Sequence, residues 1–477
     1  MAESSAVALR ERLAAGDLTS RLLVETLTER IDALDTTGET ALHAIAALDP
    51  RAAQHADERD DRRVRGEALG PLHGLAVLIK DNIEAVGLPG GAGSTALVGR
   101  PSRDAQLVTR LREAGAVVLG STNLSQWANI RSPYSTSGYS ASGGLVANPW
   151  ALDRSAGGSS SGSGAALAAG LAPLSVGTET DGSITCPASL NGVVGLKPTV
   201  GNVSRDGVVP ISHSQDSPGP MGRSVDDVAL LYGVLSGRHA SETPAAPRMV
   251  EAMTWRTGHR DTDRHFDEVM SLLRAEGLDI GRRDAGLASP TDYDDELTVM
   301  LSELLDDMDA YLGARPGEGV RSLADVVAFE DAHAESEQRY FGHEFFLRAL
   351  ASGGTDSATY RAARDRNLHW ARELCLSPVL EGFDVVLAPA YGPAWKSDLV
   401  NGDNAKFVSP SIMAAAVAGW PIMSVPMGQV GGLPVGLTLA GRAHSEWQLL
   451  AAARQVEAVL SRHRLVSAPT WRAAARG

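Results

Sequence analysis

Two glycine- and serine-rich turns, Ser155–Gly164 and Gly177–Ile184, alternate with apolar segments that look buried, and this pattern constrains the chain more than any other feature. The first turn reads SAGGSSSGSG and runs directly into AALAAGLAPL. A Gly/Ser run by itself suggests a flexible linker. A linker would not be expected to open an Ala/Leu helix, pass through a strand-like Leu174-Ser175-Val176 and then form a second tight turn. That second turn, GTETDGSI, can bare several backbone N–H groups toward a negative charge. No GxxxxGK[ST] pattern is present, so an oxyanion site beside a serine fits better than a phosphate loop.

The surrounding chain reads as strands alternating with helices, an α/β arrangement. Residues 18–35 form an amphipathic helix with Thr19 or Ser20 as cap. Leu75–Ile79 reads as a buried strand, residues 104–113 as a helix, and Gly115–Leu119 as the next strand. An amphipathic helix spans 263–276, with Gly277 as its stop. Residues 290–375 look helical and charged. Phe383–Leu387 and Ile422–Val425 read as strands, and Glu446–Leu460 as a helix. With no repeat or long linker, residues 1–477 are expected to form one domain, with a helix-rich region at about 240–380.

A serine nucleophile needs a base. His213 is the histidine that most closely follows the two turns, and a polar loop role fits it better. Only four of the 43 basic residues are lysine, and one of them, Lys80, ends an apolar strand. Burial there would favour the neutral amine, a proton acceptor that arginine cannot supply. The first turn also matches G-x-S-x-G at Gly158, Ser160 and Gly162, the pattern of a nucleophile elbow. The elbow needs an apolar strand before it, and Pro149–Ala156 does not read as one.

The net charge of −15 argues against nucleic acid as a partner. Two cysteines make no disulfide framework, and no Cys/His spacing suggests a metal, so metal is expected to be absent and the compartment cytoplasmic. No basic and apolar leader or long apolar run is read at the sequence level, so no membrane association is expected.

The stretches His73–Ile83, Gly157–Gly170, Gly177–Thr199, Ser214–Asp227 and Ala418–Arg442 together resemble the amidase signature family, with 240–380 the least typical region. The resemblance implies a central mixed β-sheet covered by helices on both faces, and hydrolysis of carboxamides without a cofactor. It implies a Ser-cis-Ser-Lys triad, with Ser183 as nucleophile, Ser159 as bridging serine after a cis Gly158–Ser159 bond, and Lys80 as base. Backbone N–H groups of Thr180, Asp181, Gly182 and Ser183 would form the oxyanion hole, and Ser160 would support the network.

The commonest family turn is G-T-D-T-G-G-S-I-R. Here Glu179 replaces Asp, Asp181 replaces the first Gly and Thr185 replaces Arg, while Ser161 stands for a glycine in the first turn. These departures, with Ser125–Ser132 and Arg321–Phe346, resemble the bacterial peptide amidase branch, whose substrates are peptide C-terminal amides. Asp181 is expected to point away from the oxyanion or to bind a substrate amine. Trp127 and Tyr134 are candidate pocket residues. The substrate is expected to be a small or short-peptide amide, and the protein a monomer or homodimer. An amidotransferase A-type subunit using glutamine, or an amidase acting on aryl or other small amides, are the alternatives.

Overall fold

The computed structural model describes residues 4–36, 38, 40–97, 101–238, 246–286, 289–290, 294–315 and 319–465. Eleven strands form one mixed sheet: β1 (Ile45–Leu48), β2 (Ala76–Lys80), β3 (Val117–Thr122), β4 (Leu174–Glu179), β5 (Val194–Lys197), β6 (Ser217–Gly222), β7 (Met249–Ala252), β8 (Ile280–Arg283), β9 (Val385–Pro389), β10 (Ile422–Val430) and β11 (Leu433–Gly441). Their order across the sheet is β1-β3-β2-β4-β6-β5-β10-β11-β9-β7-β8. β2 runs parallel to both β3 and β4, so the ends of β2 and β4 point the same way. That places Lys80 and Glu179 at the same end of two adjacent interior strands.

β2 and β3 are buried along their whole lengths, as continuous apolar runs covered on both faces should be. β10 and β11 form a hairpin in which Val430 pairs with Leu433. The two residues between them, Gly431 and Gly432, both have positive φ (62° and 79°), the geometry a two-residue hairpin requires.

Three helices bear on the site: α1 (Ser161–Ala168) and α2 (Thr185–Asn191), each entered from one of the Gly/Ser turns, and α3 (Asp294–Ala314). Both α1 and α2 are buried throughout, which their small residues permit. The expected N-terminal helix is Ser20–Ile31, capped by Thr19, whose side chain accepts from Leu22 N; it continues as a π turn over Asp32–Thr36. The helix expected at 263–276 is Arg260–Ala275, and that at 446–460 runs from Glu446 to Arg462. The region expected to be helix-rich contains α3, Leu323–Ala332, Glu344–Leu350 and Ala358–Leu368, and also strands β7 and β8. Among the described residues no helix is long and apolar enough to cross a membrane.

Candidate active site

Lys80 is fully buried at the end of β2. Its Nζ lies 2.8 Å from Ser159 Oγ, 2.8 Å from Thr178 Oγ1 and 3.3 Å from Thr178 O. Asn82 Nδ2 donates to the same Thr178 hydroxyl at 3.0 Å. Burial drives the Lys80 pKa down to about 7, against the opposing charges of Asp216 and Glu179. Burial thus favours the neutral amine of Lys80.

Ser159 follows a cis peptide bond from Gly158, as the family resemblance implied. Gly158 packs so closely that a Cβ there would lie 2.4 Å from Ser125 Oγ. Ser160 ties the two Gly/Ser turns together. Its N–H donates to Ser183 O at 3.1 Å, its hydroxyl donates to Thr178 O at 3.0 Å, and Thr178 N donates to that hydroxyl at 3.2 Å. A strand, Ala151–Ser155, does precede the first turn, contrary to the reading of 149–156. It pairs with Ala147–Asn148 in a small separate ribbon and is partly exposed. Ser160 is fully buried, which does not suit the exposed tip of a nucleophile elbow.

Ser183 sits between β4 and α2, with 8% of its surface exposed. The turn that carries it is held by Glu179. One buried carboxylate oxygen of Glu179 accepts from Ile184 N and Thr185 N, both at 2.7 Å, and from Thr185 Oγ1 at 3.1 Å. This is an acidic cap on the N-terminus of α2. Gly182 has a positive φ of 77°, and a Cβ there would meet the Tyr391 hydroxyl at 2.3 Å. The backbone N–H groups of Asp181, Gly182 and Ser183 donate to no acceptor among the described residues. The Ser183 hydroxyl likewise makes no hydrogen bond among them. The arrangement thus holds a buried lysine on one serine, a second serine at the surface of the site, and unspent donors beside it.

Asp181 has one carboxylate oxygen buried without a partner among the described residues. Burial, and then the charge of Glu179, push its pKa up to about 7, while Lys197 opposes the shift. Glu296 of α3 feels the charge of Asp181 and is itself raised well above the usual carboxylate range, chiefly by burial. Thr178, Glu179 and Asp216 were not singled out as functional from the sequence. Their roles depend on contacts between turns, and the one local signal was Glu179 standing where the common motif has Asp.

Trp127 is placed differently from the sequence expectation. Its ring is buried, meets Phe346 edge-on at 5.9 Å, and its indole N–H donates to Glu330 Oε1 at 2.8 Å. It packs in the cluster formed with Leu301, Leu304 and Met308 instead of lining an open pocket. Trp127→Phe is therefore expected to lower stability by about 1–3 kcal/mol, because the buried Glu330 side chain loses the indole N–H as a partner, with KM close to wild type. Thermal unfolding and steady-state kinetics check this; a large rise in KM with unchanged stability would restore Trp127 to the pocket. Tyr134 is 57% exposed on a loop. His213 is paired with Asp307 and Glu303, consistent with a polar loop residue.

A family model described as Amidase matches residues 22–450. A glutamyl-tRNA(Gln) amidotransferase subunit of Symbiobacterium thermophilum is 33% identical over 96% of this chain and 97% of its own length. A probable amidase of Arabidopsis thaliana is 36% identical, covering 91% of this chain and 85% of its own length. Among solved structures, peptide amidase PAM in complex with the competitive inhibitor chymostatin superposes with a TM-score of 0.91 at 41% identity, covering 98% of this chain and 99% of that one. The native peptide amidase from Stenotrophomonas maltophilia gives 0.90 at 39% identity, with coverage of 98% and 99%. The chain belongs to the amidase signature family and is a carboxamide-hydrolysing enzyme.

Proposed function

We propose that this enzyme releases ammonia from peptide C-terminal amides or related carboxamides, with Ser183 as nucleophile, Ser159 as relay and Lys80 as base. The observation that carries this reading is the 2.8 Å contact of the buried Lys80 Nζ with Ser159 Oγ, in a turn that Ser160 fastens to Ser183. Neutral Lys80 takes the Ser159 proton as Ser159 takes that of Ser183. Ser183 Oγ then attacks the amide carbonyl. The backbone N–H groups of Thr180 to Ser183 receive the oxyanion, and one such donor is worth about 3 kcal/mol in the transition state. The proton returns through Ser159 to the amide nitrogen, the C–N bond breaks, and ammonia leaves. Water adds to the acyl-enzyme by the same relay, regenerating Ser183 and releasing the acid.

A peptide amide is favoured by the likeness to two peptide amidase structures at 41% and 39% identity. It is favoured also by Thr185, which leaves no arginine at that position to meet a substrate carboxylate. The amidotransferase reading draws on the 33% identity to the glutamyl-tRNA(Gln) amidotransferase relative. The enzyme acts as a monomer or homodimer on a small-molecule or short-peptide amide. Ammonia release from an N-capped dipeptide amide, an aryl amide and free glutamine separates these readings. Fast release from the dipeptide amide is the expected result. Turnover of glutamine alone would move the assignment to the amidotransferase type, and turnover of the aryl amide alone would move it to a small-amide hydrolase.

A further inference from the structure

The segment Ile211–Asp216 lies outside the sheet and outside any helix, yet several of its polar groups are tied to α3. Ser212 Oγ and Ser214 N donate to Glu303, His213 N donates to Asp307 at 2.7 Å, and Gln215 Nε2 donates to Glu296 at 2.8 Å. Asp216 closes the segment on itself. Its Oδ2 accepts from Ile211 N at 2.8 Å and from Ser212 N at 3.0 Å. Its other oxygen reaches across the chain to accept from Thr180 Oγ1 at 2.6 Å, in the turn that carries Ser183. Asp216 also exerts the largest opposing charge on Lys80, ahead of Glu179. Asp216 also feels Arg205, and both line a cavity of about 520 Å³ with His213, Asp307 and Tyr311.

We infer that Asp216 is a positioning residue for amide cleavage: it fixes Thr180, and so the turn that carries Ser183, and it sets a negative charge against the Lys80 base. The inference rests on the reading of Lys80 as base and Ser183 as nucleophile. A carboxylate beside an ammonium favours the ammonium. Asp216 and Glu179 oppose the effect of burial on Lys80; protonated Lys80 acts back on Asp216, and Arg205 adds a second cation. Burial lifts Asp216 above the usual carboxylate range, while the backbone N–H groups of Ile211 and Ser212 favour its charged form. The Thr180 hydroxyl helps to keep it charged.

The test is the pH profile of kcat/KM, and of fluorophosphonate labelling of Ser183, in wild type, Asp216→Asn, Thr180→Val and Ser183→Ala. Asp216→Asn keeps the shape and removes the charge. Its acid limb is expected to move down by about one pH unit, with a lower plateau. Thr180→Val withdraws a donor that keeps Asp216 ionised, so its limb moves the same way by less. This variant answers the question even if Asp216→Asn fails to fold. An acid limb at the wild-type position in whichever of the two variants folds, with only the plateau reduced, would make Asp216 structural and overturn the inference. Activity surviving in Ser183→Ala would instead overturn the nucleophile assignment itself.

Discussion

Ser183→Ala is expected to lower kcat/KM for a carboxamide by about 10⁴-fold or more while leaving the fold intact. The fold should survive because the turn is held by backbone groups and by Glu179, and the Ser183 hydroxyl takes no part in that hydrogen bonding among the described residues. The activity should not survive because Ser183 is the serine beside the unspent N–H groups of Asp181 and Gly182, whereas Ser159 is fully buried against Lys80. Residues that act as one relay are not additive. The Ser159→Ala, Ser183→Ala double variant should therefore be little worse than Ser183→Ala alone. Steady-state kinetics on the three variants, with thermal unfolding as the control, check this. Turnover within tenfold of wild type in Ser183→Ala, together with collapse in Ser159→Ala, would exchange the two serine roles.

Much of the candidate site was legible because its parts are local. Lys80 ends a short apolar run, and the two serines lie in turns whose glycines are visible in the sequence. The strands that the chain hides are those whose composition contradicts their state. β6 is Ser-Pro-Gly-Pro-Met-Gly, with two prolines and two glycines, and reads as a turn. It is a strand because β4 pairs along its whole length, while β5 pairs only at Met221 and Gly222 and so leaves both prolines without a ladder on that side. Gly219 is needed there, since a Cβ would lie 2.1 Å from Leu196 O. β7 and β8 have four residues each and lie in a region whose helices dominate the pattern. Trp127 misled for another reason: an aromatic near a signature segment carries no sign of whether a distant carboxylate, here Glu330, takes its N–H. Long-range partners of this kind are set by tertiary packing, which periodicity does not report.

Lys80→Arg is expected to lower kcat/KM by about 10³-fold, in the range for loss of a general base. The guanidinium keeps a cation and hydrogen-bond donors at the site but cannot be deprotonated in the working range. With Lys80 as the proposed base, the neutral amine is the active form. Rates should rise with pH through about 7 and fall tenfold per unit below it. Lys80→Met separates this role from a structural one by its effect on stability. The folded pKa of Lys80 is depressed from 10.5 to about 7, so the unfolded chain binds more protons between those values and stability rises with pH across that window. The cost of burying Lys80 is therefore largest below about pH 7 and fades toward 10.5. Lys80→Met removes that cost. It should be inactive yet unfold at a higher temperature than wild type at pH 6, with the gap closing as pH approaches 10. An inactive Lys80→Met that is less stable than wild type at pH 6 would show that Lys80 serves the fold through its contacts with Ser159 and Thr178, and would remove the stability argument for a base held neutral by burial.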